Sequence, residues 1–116
     1  MINISELMSD SDFSTNFKII RQSGRWENRR WLSEETEMLV TGIVMGVSKK
    51  DIAMVPEGNR LNEMRVFYSA QELVVSSDEA LSDICEYKGI RYRLIQGFDY
   101  GDYGYYKALG VKLGGV

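Results

Sequence analysis

The stretch that decides the fold is residues 34–47, which read EETEMLVTGIVMGV. From Met38 onward its apolar residues occupy both alternating sets of positions, the pattern of a β-strand with two largely buried faces. Gly42 and Gly46 interrupt the larger side chains, and glycine inside a strand is typical of a bulge or a bend. We therefore predict a central strand in a strongly coiled sheet.

Shorter strand patterns surround this stretch. Period-two alternation recurs in residues 15–23, 61–69, 83–87, 90–98 and 105–113, and residues 72–75 add a further short run. Lys88 and Gly89 separate two of these runs, which predicts a tight hairpin turn. About seven short strands with turns between them are typical of a mainly β fold, and we expect a small antiparallel β-barrel.

Two helical pieces complete the predicted fold. Residues 3–12 predict a short N-terminal helix capped by Asn3, and residues 48–54 predict one short helical turn capped by Ser48. We divide the chain into a flexible or helical arm, residues 1–14, and a β-barrel domain, residues 15–113.

Composition restricts the chemistry. The 116 residues suit one domain, and they include one cysteine and no histidine. This excludes an internal disulfide and the common zinc, copper and iron sites. Cys85 has no histidine to activate it, so we expect a packing residue rather than a nucleophile. No carboxylate pair is singled out among the 17 acidic residues, and we predict no enzyme, catalytic residue, cofactor or metal site.

One segment interleaves aromatic and basic side chains. Residues 25–31 can stack nucleic-acid bases, or they can fill a protein interface, where Trp and Arg are enriched. The net charge of −3 favours the interface, because proteins that grip phosphates carry basic surfaces. Residues 21–36 show no clean strand period, so we predict a contact loop or channel loop here, with candidate residues Trp26, Arg29, Arg30 and Trp31.

A second candidate segment lies near the C-terminus. Residues 99–104 combine glycine, aspartate and tyrosine, a composition typical of adaptable contact loops. The alternative is a surface turn whose tyrosines pack on the barrel. The spacing of the two carboxylates matches no EF-hand calcium loop. The candidate residues are Asp99, Tyr100, Asp102 and Tyr103.

The hairpin of residues 83–94 makes the most specific structural prediction. If Ile84, Tyr92 and Leu94 pack into the core, strand alternation places Arg91 and Arg93 on the surface.

The order of motifs resembles a known family. The motifs are PEGNR at residues 56–60, MRVFY at 64–68, DICEYKGIRYRL at 83–94 and YGYYKA at 103–108. They are similar to the Pro-Glu-Gly-x-Arg turn, the Tyr-x-Gly-x-x-Tyr-Arg hairpin and the closing Gly-Tyr-Tyr strand of small head–tail connector proteins, also called head-closure or neck proteins, of tailed bacteriophages and prophages. The resemblance covers residues 37–113.

This resemblance implies a β-barrel that assembles into a ring around the DNA exit channel of the virion neck. The implied partners are other copies of the chain, a portal or adaptor protein and a tail-terminator protein, with genomic DNA passing through without sequence-specific binding. It implies synthesis in the cytoplasm of the bacterial host, and neither enzymatic activity nor a membrane partner. The alternative is an OB-like module that binds single-stranded nucleic acid through Trp26, Trp31 and the tyrosines of residues 100–106.

Overall fold

The computed structural model of the chain describes residues 14–49, 53, 63–76 and 82–113. Within these residues there are six strands rather than about seven, because residues 72–75 are not a strand. The strands are β1 Thr15–Glu27, β2 Arg30–Gly46, β3 Met64–Ser69, β4 Ile84–Tyr87, β5 Ile90–Tyr100 and β6 Tyr105–Lys112.

The six strands form a closed barrel in the order β1-β2-β3-β6-β5-β4, and every neighbouring pair is antiparallel. The barrel closes where residues 18–20 of β1 pair with residues 84–86 of β4. The prediction of a mainly β fold with a small antiparallel barrel is therefore confirmed.

The strand directions sort the connections into two ends. The β1–β2 turn and the β5–β6 connection lie at one end, which we call the upper end. The β4–β5 turn, with Lys88 and Gly89 at positive φ, lies at the opposite end. Both candidate segments of the sequence therefore lie at the upper end.

The barrel interior is apolar and centred on Phe67. The Phe67 ring contacts those of Phe17 and Tyr92, with centroids 5.3 and 5.5 Å away. The remaining buried residues of this cluster are Ile19, Val40, Leu73, Cys85, Leu94 and Ala108. The prediction that Cys85 is a packing residue agrees with this position, and burial raises the pKa of its thiol.

A second cluster shows that β3 and β6 are buried on both faces. Met64 and Val66 of β3 lie opposite Val111 and Leu109 of β6, and all four side chains are buried. These strands have the two-sided burial that the sequence predicted for residues 34–47. In β2, only Val40, Gly42 and Ile43 are buried.

Gly42 has a different role from the predicted bulge. A side chain at this position would collide with the backbone oxygen of Tyr68 and press against the Phe17 ring. Glycine therefore allows β2 to approach its neighbours closely. The irregularity in the sheet lies in β5 instead, between Leu94 and Gln96.

The predicted hairpin register is correct for β5 and wrong for β4. Tyr92 and Leu94 are buried in the interior and Arg91 is exposed. Because Cys85 is the residue opposite Tyr92, Cys85 points inward and Ile84 lies on the outer face opposite Arg93. Arg93 is half-buried rather than a surface residue, and its Nε is buried without a hydrogen-bond partner.

The predicted helical pieces fall largely outside the described residues. The helix of residues 3–12 and all but the last residue of the arm of residues 1–14 lie outside them. Of residues 48–54, Lys49 and Ala53 have helical backbone. The six strands lie within the predicted barrel domain, and no described helix is long and apolar enough to cross a membrane.

Tyr92 is the residue whose truncation tests this core. Tyr92→Ala removes a fully buried ring, and we expect a loss of about 3 kcal/mol in the free energy of unfolding, as for other large aromatic truncations. Arg91→Ala, its exposed neighbour, should change stability little. Denaturant unfolding of both variants checks this, and equal losses would contradict the register.

Candidate functional site

The candidate site begins with a two-stranded arm at the upper end. The last β1 residue that pairs with β4 is Ile20, and β3 pairs with β2 only from Ile43 onward. Residues 21–36, which we call the arm, therefore pair only with each other among the described strands. Seven residues beyond Ile20 extend about 23 Å at about 3.3 Å per residue, and the protein is accordingly 53 Å long against 31 and 28 Å across.

The arm corrects the prediction of a loop for residues 21–36. These residues form an unbroken antiparallel ladder, closed by a two-residue turn in which Asn28 and Arg29 have φ values of 51° and 64°. Positive φ at both positions is the type I′ geometry that matches the twist of a hairpin, and asparagine tolerates it. No strand period was visible because neither face of the arm is buried.

Two tryptophans form the apolar surface of the arm. Trp26 and Trp31 lie directly opposite each other, with ring centroids 5.7 Å apart in an edge-to-face arrangement. The Trp31 indole also covers Gly24, where any side chain would collide with the ring. The two indoles are nevertheless 73% and 52% exposed. The arm therefore presents two exposed rings that are held in place by each other and by Gly24.

Three arginines lie close to the tryptophans along the two strands and their turn. Arg25 forms ion pairs with Glu27 at 3.3 Å and with Glu34 at 3.6 Å, and all three side chains are exposed. Arg29 in the turn and Arg30 at the start of β2 are exposed and form no ion pair within the described part of the chain. The end of the arm therefore carries two positive charges, unpaired among the described residues, in addition to the two indoles.

A partly buried ion pair holds the base of the arm. Asp83 is fully buried, and Arg21 donates two hydrogen bonds to its carboxylate, Nε to Oδ1 at 3.0 Å and Nη2 to Oδ2 at 2.9 Å. The backbone N–H of Val74 donates to the same carboxylate at 2.9 Å, and Arg21 also donates to the backbone oxygen of Glu72. The hydrogen bond to Asp83 raises the pKa of Arg21. No local sequence pattern predicts this pair, because its members are 62 positions apart.

The second candidate segment is a short turn at the same end. Gly101–Tyr103 form a single 3₁₀ turn that ends at Gly104 with φ 85°, and Asp99 accepts a hydrogen bond from the Gly101 N–H. Tyr100 stacks on the rings of Phe98 and Tyr105, so it packs on the barrel.

The other members of this segment face solvent. Asp102 is exposed, and Tyr103 is 72% exposed. Tyr100 therefore agrees with the alternative of a surface turn whose tyrosines pack on the barrel. Asp102 and Tyr103 are exposed, as residues of a contact loop would be.

A groove adjoins this turn. It has a volume of about 370 Å³ and runs between residues 72–75 and the upper half of β5. Leu73, Val75 and Tyr106 supply its apolar surface, while Glu72 and Asp99 supply carboxylates. Asp102 lies in an adjoining depression that shares Asp99 and Tyr106. The groove is therefore lined by a mixture of apolar and polar groups, among them the carboxylates of Glu72 and Asp99.

The structure places both candidate sets at one end but on different strands. Trp26, Arg29, Arg30 and Trp31 lie at the tip of the arm, whereas the set from residues 99–103 lies beside the groove. Across residues 14–49, 53, 63–76 and 82–113, no three potential ligands from Cys, Asp and Glu gather as a metal site. The arrangement combines two surfaces of opposite charge, each with exposed apolar groups.

Comparison with known proteins gives little functional information. No protein-family model matches the chain. An uncharacterized protein of Xylella fastidiosa (strain 9a5c) is 22% identical over 112 residues, which is 96% of this chain and 84% of that protein. The chain is thus similar along nearly its whole length to a protein whose name states no activity.

The Arg21–Asp83 pair is open to a direct test. Arg21→Met leaves the Asp83 carboxylate buried without its cation, and we expect a loss of about 2 kcal/mol in the free energy of unfolding, less than for a wholly buried pair because the guanidinium is partly exposed.

Arg25→Met is the matched control, since Arg25 lies on the same face of β1 but pairs with exposed carboxylates worth less than about 1 kcal/mol. Denaturant titration measures both variants. A larger loss for Arg25→Met than for Arg21→Met would contradict the assignment.

Proposed function

We propose that this protein is a structural subunit of the bacteriophage head–tail connector. It forms a ring around the DNA exit channel between portal and tail, and it helps to close the filled head and join the tail. The observation that carries this proposal is the preformed arm, which projects from a closed barrel and exposes Trp26 and Trp31 at its tip. Exposed tryptophans beside arginines are typical anchors of protein interfaces.

The barrel supports the proposal as a rigid frame. Closure of the sheet pairs the central parts of the strands, and among the described strands the arm is the part that projects beyond the barrel. A projection that contacts a different surface on an identical neighbour makes a heterologous contact, and such contacts generate rings when the rotation closes. The net charge of −3 suits a channel through which DNA slides, because few phosphates are held.

The motifs that resemble connector proteins lie mainly in the strands of the barrel and not in the arm. The residues from 64–68, 83–94 and 105–108 lie in β3, β4, β5 and β6 or in their turn. The arm precedes the region of resemblance, which begins at residue 37. The arm residues that we propose as contacts therefore lie outside these motifs, whereas Tyr103 and Tyr106 beside the groove belong to the last of them.

Disruption of the gene in its phage or prophage tests the proposal. A nonsense codon should yield DNA-filled heads and free tails that remain unjoined in electron micrographs, and supplying the intact chain in trans should restore joined particles. Normal numbers of infectious particles without the protein would overturn the proposal.

The tip of the arm gives a sharper prediction. Trp26→Ala removes an exposed indole about 20 Å beyond the barrel, so we expect the melting temperature to change little while head–tail joining is lost. Leu39→Ala is the control, because Leu39 is 69% exposed on β2 outside the arm. Scanning calorimetry and plaque counts measure the two effects. A Trp26→Ala variant that unfolds would place the indole in the core, and one that joins normally would place the interface elsewhere.

The alternative is a single-strand binding module. The observation in its favour is the stack of Phe98, Tyr100 and Tyr105, because bases stack on aromatic side chains of this kind. The closed six-stranded antiparallel barrel differs, however, from the five-stranded, partly open OB barrel. Titration of the tryptophan fluorescence with oligonucleotides decides: salt-dependent quenching would support the module, and we expect none.

A further inference from the structure

We propose that the arm of one copy docks in the acidic groove at the upper end of a second copy. This inference rests on the proposed function, because it names the contact through which ring subunits join. The occupant of the groove is the tip around Trp26 and Trp31, and the contact is heterologous, since the two surfaces are different parts of the chain.

The tip has the chemistry of an insert. Trp26 and Trp31 offer two large apolar rings on one face of the ribbon, and Leu32 on the other face is also exposed. Arg29 and Arg30 are the unpaired cations of the tip. A paired hairpin with ordered indoles loses little conformational freedom on binding, so more of its interaction energy remains for affinity.

The groove has the complementary chemistry. Its volume of about 370 Å³ lies at the lower end of the range for pockets that hold small organic groups, roughly 300–1,000 Å³, and this suffices for an aromatic side chain. Leu73, Val75 and Tyr106 are its apolar contacts, while Asp99 and Asp102 place negative charge at its border. Two cations lie near the groove. Arg21 is bound to Asp83 and to the backbone oxygen of Glu72, and Lys107 lies over the Phe98 ring on the opposite face of β6 from Tyr106.

The geometry directs the tip away from its own groove. The arm is a continuous ladder with no register shift from Arg21 to Glu27, and its tip lies about 23 Å beyond the last pairing with β4. The groove lies at the barrel itself, beside the upper half of β5. A straight ribbon of this length reaches outward, so the surface that meets it belongs to another molecule.

Chemical cross-linking tests the contact on the full-length chain. Arg30→Cys and Asp102→Cys place one thiol on each proposed surface, and a short bismaleimide joins thiols only when they lie close together. The native Cys85 is buried, and burial raises the pKa of its thiol, so it stays unreactive. The protein is used at about 1 mM, where contacts with a Kd as weak as about 1 mM still form.

We expect cross-linked dimers from a mixture of the two variants and a ladder of multimers from the chain that carries both cysteines. Lys49→Cys mixed with Asp102→Cys is the control, because Lys49 is exposed and follows the lower end of β2. Equal cross-linking in the control mixture, or none in the test mixture, would overturn the proposal.

Charge reversal gives a second, independent readout. Arg30→Glu and Asp102→Arg should each weaken self-association by about fivefold or more, since like charges then meet across the contact. The chain that carries both changes should associate like the original, because the pair is restored with opposite sign. Sedimentation at high protein concentration measures this, and failure of the double variant to recover would count against the contact.

The two proposals can fail separately. Loss of head–tail joining in the gene disruption together with no cross-link would overturn the arm-to-groove contact and leave the connector function standing. A cross-link ladder together with normal joining in the absence of the gene would do the reverse.

Discussion

The buried carboxylate of Asp83 is the constraint on which the upper end of the molecule depends. A carboxylate without water needs a cation and hydrogen-bond donors, and Arg21 and the Val74 N–H supply them. The backbone of Asp83 also bonds to Val74 and Leu94, so one residue joins β1, β5 and residues 72–75. The base of the arm and the wall of the groove are therefore held by the same interaction, which fixes the two surfaces relative to each other.

The arm has exposed strand edges that the barrel does not. Residues 21–27 of β1 and most of β2 up to Gly42 have no outer neighbour among the described strands. Such edges invite uncontrolled pairing with other chains unless charge protects them. Arg25, Glu27 and Glu34 lie along this ribbon, and their ion pairs hold charge at its surface. This favours contact through the indoles at the tip over strand addition along the edges.

Period-two patterns predict strands where one face is buried, and they fail where burial does not differ between faces. The barrel, the Lys88-Gly89 turn and the burial of Tyr92 follow from alternation. Alternation did not predict the hairpin of residues 21–36, because neither of its faces is buried. The one local feature typical of a hairpin turn is Asn28, which tolerates positive φ. The exposed tryptophans were predicted from composition, whereas the Arg21–Asp83 pair and the groove depend on contacts between distant segments, which no local pattern contains.

The contact between Trp31 and Gly24 orders the arm without the help of a partner. Glycine in an exposed strand leaves a gap that weakens pairing, and an aromatic ring across the gap restores it. Because Trp31 packs on Gly24 and on Trp26, its order does not depend on a partner. An assembly element that is already folded differs from a segment that folds on docking, since binding then pays less conformational entropy. In the ring that we propose, each tip has a small contact area, so stable assembly would come from the closure of many equivalent contacts rather than from the strength of one.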